Sequence, residues 1–170
     1  MKKLMIELAM CFIAMVARAG HNADSVSKDL MLANAGDADA QFALGNCYYE
    51  GNGVAQDKVQ AVKWFCKAAE QDNVDAQLAL GICHLTGEGV TQDSVQAVKW
   101  LRKAAEQDNV DAQLVLGKIY LEGEVVAQDK AQAVNWFRKA AEHGDADAQF
   151  ALGNCYYEGK MVWGRTKCKL

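Results

Sequence analysis

Two cysteines and a histidine of this chain have a spacing that could bind a metal ion. Cys83 and His84 are adjacent, and Cys47 precedes Cys83 by 36 positions, so the three together could offer sulfur and nitrogen ligands to zinc. His84, however, stands at a position that Tyr48 and Tyr120 occupy in other copies of a repeat. A side chain in a tyrosine position is most simply a packed one. We therefore predict that the chain holds no metal ion and no cofactor.

The same cysteines could form disulfides. Cys47 and Cys83 share one register in consecutive copies of the repeat, but neighbouring helix axes lie roughly 8–10 Å apart. A disulfide needs Cα atoms within about 7 Å of each other. Ile119 fills the same position in the next copy, which indicates a small apolar side chain, so we predict buried thiols. Cys66 replaces an arginine of the later copies and is predicted to be exposed.

Catalytic and nucleotide-binding patterns are weak. No set of nucleophile, base and carboxylate is visible along the chain. The pair Gly51 and Gly53 lacks the preceding strand and the Lys-Ser/Thr of a phosphate-binding loop, so it is interpreted as a turn. Trp64, Trp100 and Trp136 could stack on sugars, but each adjoins a Phe or Leu and is interpreted as core. We predict that the protein is not an enzyme.

The positions of these cysteines, glycines and tryptophans recur at a fixed interval of 36 residues. Residues 37–51 reappear unchanged as residues 145–159, and residues 67–78 reappear unchanged as residues 103–114. Self-similarity at such a period is typical of a solenoid built from stacked units. The chain of 170 residues also contains no proline, which favours helices throughout. The sequence therefore predicts an all-α fold.

Each copy is predicted to form two helices. Helix A, residues 39–50 in the first copy, is apolar on two sides, and Gly45 within it indicates that another backbone comes close. Gly51 ends helix A, Asp57 begins helix B, and an Asx residue begins the next helix A. Without proline, the turns between helices A and B should depend on glycine and Asp caps alone. Val125 replaces the second glycine of the third turn, which is therefore predicted to be the loosest.

The 36-residue unit resembles the Sel-one-like repeat (SLR), a relative of the tetratricopeptide repeat, through the motifs A-Q-[FL]-x-L-G-x-x-Y, G-x-G-V-x-Q-D and A-V-x-W-[FL]-x-K-A-A. The resemblance covers residues 37–159, as repeats 37–72, 73–108 and 109–144 and a partial repeat 145–159. It implies a right-handed αα-superhelix (solenoid) with helices A on its concave side, and a role in protein–protein interaction, often as an adaptor or exported factor. Ala69 and Ala76 stand where cysteine-rich members bridge neighbouring helices, so that disulfide framework is not expected here.

By analogy with tetratricopeptide repeats, certain helix-A positions should face the concave groove and bind a protein or peptide partner. Asp39 and its equivalents either share this surface or cap the helices. The other positions vary between repeats on a constant scaffold, which is where specificity can lie. Tyrosine, leucine and acidic residues there suit a peptide with apolar anchors and some positive charge. The predicted partner-binding residues are Asn46, Tyr49, Glu50, Ile82, Leu85, Lys118, Leu121, Glu122, Asn154 and Tyr157.

The first 19 residues have the pattern of a secretory signal peptide. Lys2 and Lys3 precede a short apolar run, and residues 17–19 read Ala-Arg-Ala, a peptidase site. Cleavage near Ala19 predicts a secreted or periplasmic protein without a stable membrane span. The alternative is an ordinary amphipathic helix, because Glu7 interrupts the apolar run.

Two further segments flank the repeats. Residues 20–36 are predicted to form an N-terminal capping helix, and residues 160–170 a basic C-terminal tail without the signals of a helix B. The last helix A would then keep an open apolar surface, unless residues 161–163 fold back or a second copy covers it as a homodimer. Residues 20–159 carry a net charge of −10, which argues against a nucleic-acid partner.

The sequence predicts an exported adaptor that binds a peptide or protein in the groove. Two alternatives remain open at this point. One is a hydrolase or ligand binder that acts on cell-wall fragments, and the other is a truncated paralogue without an activity of its own.

Overall fold

The computed structural model describes residues 23–167, with side chains for residues 26–157, and this range contains helices and no strand. The all-α prediction is confirmed. The predicted signal peptide, residues 20–22 of the predicted capping helix, and Cys168 lie outside the described residues. The helices are α1 (Ala23–Asn34), α2 (Ala38–Glu50), α3 (Lys58–Glu70), α4 (Val74–Thr86), α5 (Ser94–Glu106), α6 (Val110–Glu122), α7 (Lys130–Glu142) and α8 (Ala146–Lys167).

The helices belong to two compact units, and the boundary between them along the chain falls within α5. The first unit ends at Lys103 and the second begins at Ala104. In the first unit α1 packs on α2, α2 on α3, and α3 on α4. In the second unit α6 packs on α7, and α7 on α8. Helices α2, α4, α6 and α8 are the predicted helices A, and α3, α5 and α7 the predicted helices B.

The predicted helix caps are confirmed. Asp37 caps α2 by accepting a hydrogen bond from the backbone N–H of Ala40 at 2.7 Å. Asn73, Asn109 and Asp145 do the same for the following helices A, at 2.7–2.9 Å. Each cap satisfies a backbone donor that has no partner within its helix. The side chains of Asp57, Asp93 and Asp129 cap the helices B, each through two backbone N–H groups.

Each turn between helices A and B begins at a left-handed glycine, as predicted. The φ angles of Gly51, Gly87 and Gly123 are 81°, 78° and 69°. The expectation that glycine and Asp caps alone hold these turns is wrong, because a glutamine side chain in each turn donates to the carbonyl two residues before the glycine. The bonds join Gln56 to Tyr49 (2.9 Å), Gln92 to Leu85 (2.6 Å) and Gln128 to Leu121 (2.7 Å).

The third turn differs from the first two where valine replaces glycine. Gly53 and Gly89 have φ angles of 74° and 72°, whereas Val125 is not among the residues with positive φ. The turn is nevertheless closed, because the backbone N–H of Asp129 donates to the Tyr120 carbonyl at 2.9 Å. The valine therefore changes the path of the loop and leaves its closing bond intact.

Buried glutamines connect each helix A to the end of the preceding helix. The side-chain amides of Gln41, Gln77 and Gln113 donate to the carbonyls of Ala33, Ala69 and Ala105 at 3.1, 3.3 and 3.1 Å. These three residues are at most 5% exposed. Since the last carbonyls of a helix lack partners within the helix, the glutamine of the A-Q-[FL] motif satisfies one of them.

In α2, α4 and α6 the helix-A glycine accommodates helix B. The backbone approach expected from the sequence is present at Gly45 and Gly81, where an added Cβ would lie 3.4 Å from the Ala61 carbonyl oxygen and 3.2 Å from the Leu101 nitrogen, but the nearest atoms belong to side chains. A Cβ placed on Gly45 would lie 2.6 Å from two ring carbons of Phe65. Leu101 and Phe137 take the same place against Gly81 and Gly117. The glycine thus creates the space that a buried aromatic or leucine side chain fills.

Helix α8 is longer than the other helices A. It continues through Gly159 to Lys167, whereas α2 ends before the equivalent Gly51. Of the alternatives left open for the last helix A, a fold-back of residues 161–163 does not occur, because these residues belong to this continuous helix. The sequence after Gly159 has no Asp cap to begin a helix B, so no turn competes with continuation of the helix.

Candidate partner-binding surface

One polar stripe runs along α2, although the neighbouring faces of this helix are buried. Residues seven and eleven apart lie within about 20° of each other around a helix. Asp39 is exposed and Asn46 and Glu50 are half-buried, while Leu44 and Cys47 between them are buried. We call the positions of residues 39, 46 and 50, and their equivalents in α4, α6 and α8, the helix-A stripe.

The stripes of α2 and α4 approach each other at their N-terminal ends. The side-chain amide of Asn73 donates to the Asp39 carboxylate at 2.8 Å. Burial raises the pKa of Asp75, and the Asp39 carboxylate raises it further. Burial also raises the pKa of Glu50. Asp39 and Asp75 therefore form a carboxylate pair that would gain from a positively charged ligand, and Glu50 adds a further carboxylate at the other end of α2.

The predicted residues of α4 differ in accessibility. Ile82, at the stripe position, is 4% exposed and belongs to the core. Leu85, one turn further along the helix, is half-buried. An apolar side chain that remains partly accessible can contact an apolar anchor of a ligand.

Tyr49 lies beneath the surface in a contact with the next repeat. It is 8% exposed, and its hydroxyl donates to the Glu88 carboxylate. Lys58 pairs with the same carboxylate at 2.9 Å and lies 5.0 Å from the centre of the Tyr49 ring. Burial, followed by the bond to Glu88, raises the pKa of Tyr49. Tyr49 is thus held inside the first unit and contributes little accessible surface to the stripe.

The second unit has a stripe of mixed charge. Lys118, Leu121 and Glu122 on α6 are half-buried. Burial lowers the pKa of Lys118, although nearby carboxylates, first that of Asp147, oppose this change. The predicted residues on α8 are the most accessible of the set. They are Asn154 and Tyr157, both exposed.

The structure shows free thiols, not disulfides, at Cys47, Cys66 and Cys83. Burial, followed by the Glu88 carboxylate, raises the pKa of Cys83 to about 12, so this buried thiol stays protonated at neutral pH. The expectation that Cys66 is exposed is wrong: it is half-buried, because α3 packs against both α2 and α4. In the part of the chain that the structure describes, no three His, Cys, Asp or Glu residues are grouped to hold a metal ion.

Each tryptophan of helix B carries a lysine over its ring, a contact that the sequence interpretation missed. The lysine Nζ lies 4.0 Å from the ring centre of Trp64, 4.9 Å from that of Trp100 and 4.8 Å from that of Trp136. Trp136 is buried, as predicted, but Trp64 and Trp100 are half-buried. The repeated W-x-x-K spacing was the available signal, since residues three apart are neighbours on a helix.

Comparisons with known proteins agree with the architecture. The sequence matches the Sel1 repeat family over residues 38–73, 74–109, 110–145 and 146–164. No curated protein matches the chain. Among the helices in the described range, none is long and apolar enough to cross a membrane.

Solved structures resemble the chain over most of its length. The protective antigen c5321 of uropathogenic Escherichia coli, which displays an SLR fold, is 44% identical with a TM-score of 0.76, covering 79% of this chain and 29% of that one. A Sel1 repeat protein from Oxalobacter formigenes is 36% identical with a TM-score of 0.75, covering 79% and 55%. This chain thus spans only part of either relative.

Cysteine-rich protein B of Helicobacter pylori shares the fold, with a TM-score of 0.59 at 24% identity, covering 76% of this chain and 96% of that one. The repeats recognised in the sequence, the capped pairs of helices and the related solved structures lead to the same assignment. The chain belongs to the Sel1 repeat family.

Proposed function

We propose that the protein is an exported interaction module that binds a peptide or protein partner through its helix-A stripes. Sel1 repeats generally serve as protein–protein interaction modules, and four consecutive matches cover most of this chain. The predicted signal peptide supports export to the periplasm or the cell exterior.

The acidic stripe of the first unit carries the proposal. Asp39, Glu50 and Asp75 supply carboxylates at the stripe positions of α2 and α4, and Leu85 adds a partly accessible apolar side chain. Because the Asp39 carboxylate raises the pKa of Asp75, a cationic group that binds between them would relieve their repulsion. The partner we propose is a peptide segment with basic residues and an apolar anchor.

The second unit would contribute through a separate stripe. Lys118 there lies near the carboxylates of Asp147 and Glu122, so this stripe suits a segment of mixed charge. Tyr49 and Ile82, which are buried, would support their stripes from below. Asn154, which is exposed at a stripe position of α8, would be contacted directly.

Crosslinking with mass spectrometry in the native host, on separated compartments, tests export and identifies the partner. The affinity of that partner is then measured for the wild type, for Glu50→Lys and for the control Glu70→Lys, which makes the same charge change on an exposed position of α3. We expect at least a tenfold loss of affinity for Glu50→Lys and less than a twofold change for Glu70→Lys. Equal affinities for the two variants would contradict the stripe as the binding surface.

Other measurements separate this proposal from the alternatives. Turnover of cell-wall fragments by the purified protein would favour the hydrolase. Failure to obtain a folded, soluble protein on expression would favour a truncated paralogue. A homodimer through the C-terminal end would appear in sedimentation as a mass twice that of the chain.

A further inference from the structure

Two helices of this protein have the same sequence and different surroundings. Ala38–Glu50, which is α2, is identical to residues 146–158 of α8. The face of α2 that carries Phe42, Gly45 and Tyr49 is covered by α3. On α8 the same face carries Phe150, Gly153 and Tyr157, and we call these three residues the socket face.

The contacts of α2 show what such a face accepts. The Phe65 ring of α3 lies against Gly45, where an added Cβ would come within 2.6 Å of it. The ring centre of Phe65 is 5.7 Å from that of Phe42 and 6.4 Å from that of Tyr49. Lys58, at the start of α3, lies over the Tyr49 ring at 5.0 Å. The three residues therefore receive one aromatic side chain and one lysine from a single helix.

On α8 the same three residues are open. Nothing lies within 4 Å of a Cβ placed on Gly153. Phe150 is 72% exposed and Tyr157 is 66% exposed, whereas the equivalent Tyr49 is 8% exposed. At Gly81 and Gly117, as at Gly45, a buried side chain of the next helix occupies the space.

We propose that the socket face binds an amphipathic helix of the α3 type, supplied by another polypeptide. Its chemistry follows from α2 and α3: a phenylalanine or leucine against Gly153 and a lysine over Tyr157, with alanines allowing close approach. Burial of Phe150 and Tyr157 would drive the association. This surface is distinct from the helix-A stripe, so the proposal does not rest on the proposed function.

Helix α1 of a second copy fits this face poorly. In the 36-residue register α1 occupies the position of a helix B, but it has Asp29 where α3 has Phe65. A head-to-tail contact between copies would therefore bring a carboxylate against Gly153, which is unfavourable without a partner charge. The occupant that the face fits is a helix with an apolar side chain at that position.

The test measures binding of a synthetic peptide to the full chain. The peptide has the sequence of residues 56–72 with Cys66→Ser, and the control peptide also carries Phe65→Asp. We expect saturable binding of the first peptide and none of the control. The variant Gly153→Ala should bind the peptide at least tenfold more weakly, because its methyl group occupies the space that the phenylalanine needs.

Controls separate loss of binding from loss of structure. Alanine is a better helix former than glycine, so Gly153→Ala should melt no lower than the wild type. Asn154→Ala, on the adjacent stripe, and Glu50→Lys should bind the peptide like the wild type. Absence of peptide binding, or equal binding by Gly153→Ala, would overturn the proposal. A stable dimer in sedimentation that the peptide does not dissociate would also overturn it, because a second copy would then cover the face.

Discussion

Replacement of the helix-A glycine by alanine should have opposite effects at two equivalent positions of the second unit. A Cβ on Gly117 would lie 2.5 Å from Cδ1 of Phe137, and this ring is fully buried. Overpacking of this kind costs about 1–3 kcal/mol. Alanine stabilises a helix by about 0.5–1 kcal/mol relative to glycine, which offsets part of this cost. The difference between these two ranges is a loss of up to about 2.5 kcal/mol in the free energy of unfolding, which we expect for Gly117→Ala.

Gly153→Ala makes the same chemical change without the clash. Nothing lies within 4 Å of the added methyl group, so only the gain in helix propensity remains. We expect the free energy of unfolding to rise by about 0.5–1 kcal/mol.

Urea unfolding followed by circular dichroism measures both variants against the wild type. The slopes with denaturant should agree, so that the shift in midpoint reports stability. Both substitutions lie in the same unit, which makes the comparison direct. If both variants shift the midpoint in the same direction, the packing explanation for these glycines is refuted.

Three further predictions follow from individual contacts. Gln128→Ala removes the bond to the Leu121 carbonyl and should cost about 1 kcal/mol in urea unfolding, whereas Gln132→Ala, on an exposed position of α7, should cost less than about 0.5 kcal/mol. Burial alone would raise the pKa of Glu88, but the hydrogen bonds from its Tyr49 and Lys58 partners lower it overall. The stabilisation that ionised Glu88 provides is therefore complete above its ordinary pKa and is lost as the pH falls through its lowered pKa. Glu88→Gln should lower the free energy of unfolding by about 0.5–1 kcal/mol near pH 7 and lose this effect in acid. An equal effect at both pH values would contradict the assignment. Asp108 has a φ of 62°, in the left-handed region that glycine adopts without strain. Asp108→Gly should therefore raise the free energy of unfolding by up to about 1 kcal/mol, and with it the melting temperature. A lower melting temperature would show that the aspartate makes a compensating contact.

Local features of the fold could be predicted because they depend on neighbouring residues along the chain. Asp37 and Asp57 cap helices through backbone groups two or three positions away, and Gly51 adopts the left-handed conformation that few other residues tolerate. The buried Gln77 was missed, because its acceptor, the Ala69 carbonyl, is available only once one helix has ended and the next has turned back against it.

Less of the candidate site could be predicted from the sequence. The variable positions of helix A were identified correctly as variable, but Tyr49 and Ile82 are buried while Asn154 and Tyr157 are exposed. Tyr49 is covered because Glu88 and Lys58, from a later loop and another helix, meet at its hydroxyl and ring. Such a contact depends on how consecutive repeats pack.

The two identical helix sequences separate the two kinds of information. Residues 37–51 and 145–159 are the same, and in both the first residue caps a helix. The sequence alone therefore determined the helix and its N-terminal cap. The exposure of Tyr49 and of Tyr157 was decided by the tertiary structure: α3 packs against the first, and no helix in the described range fills the space at Gly153 beside the second. The burial of a side chain depends on which helix packs against it, and two identical segments do not by themselves determine different packing partners.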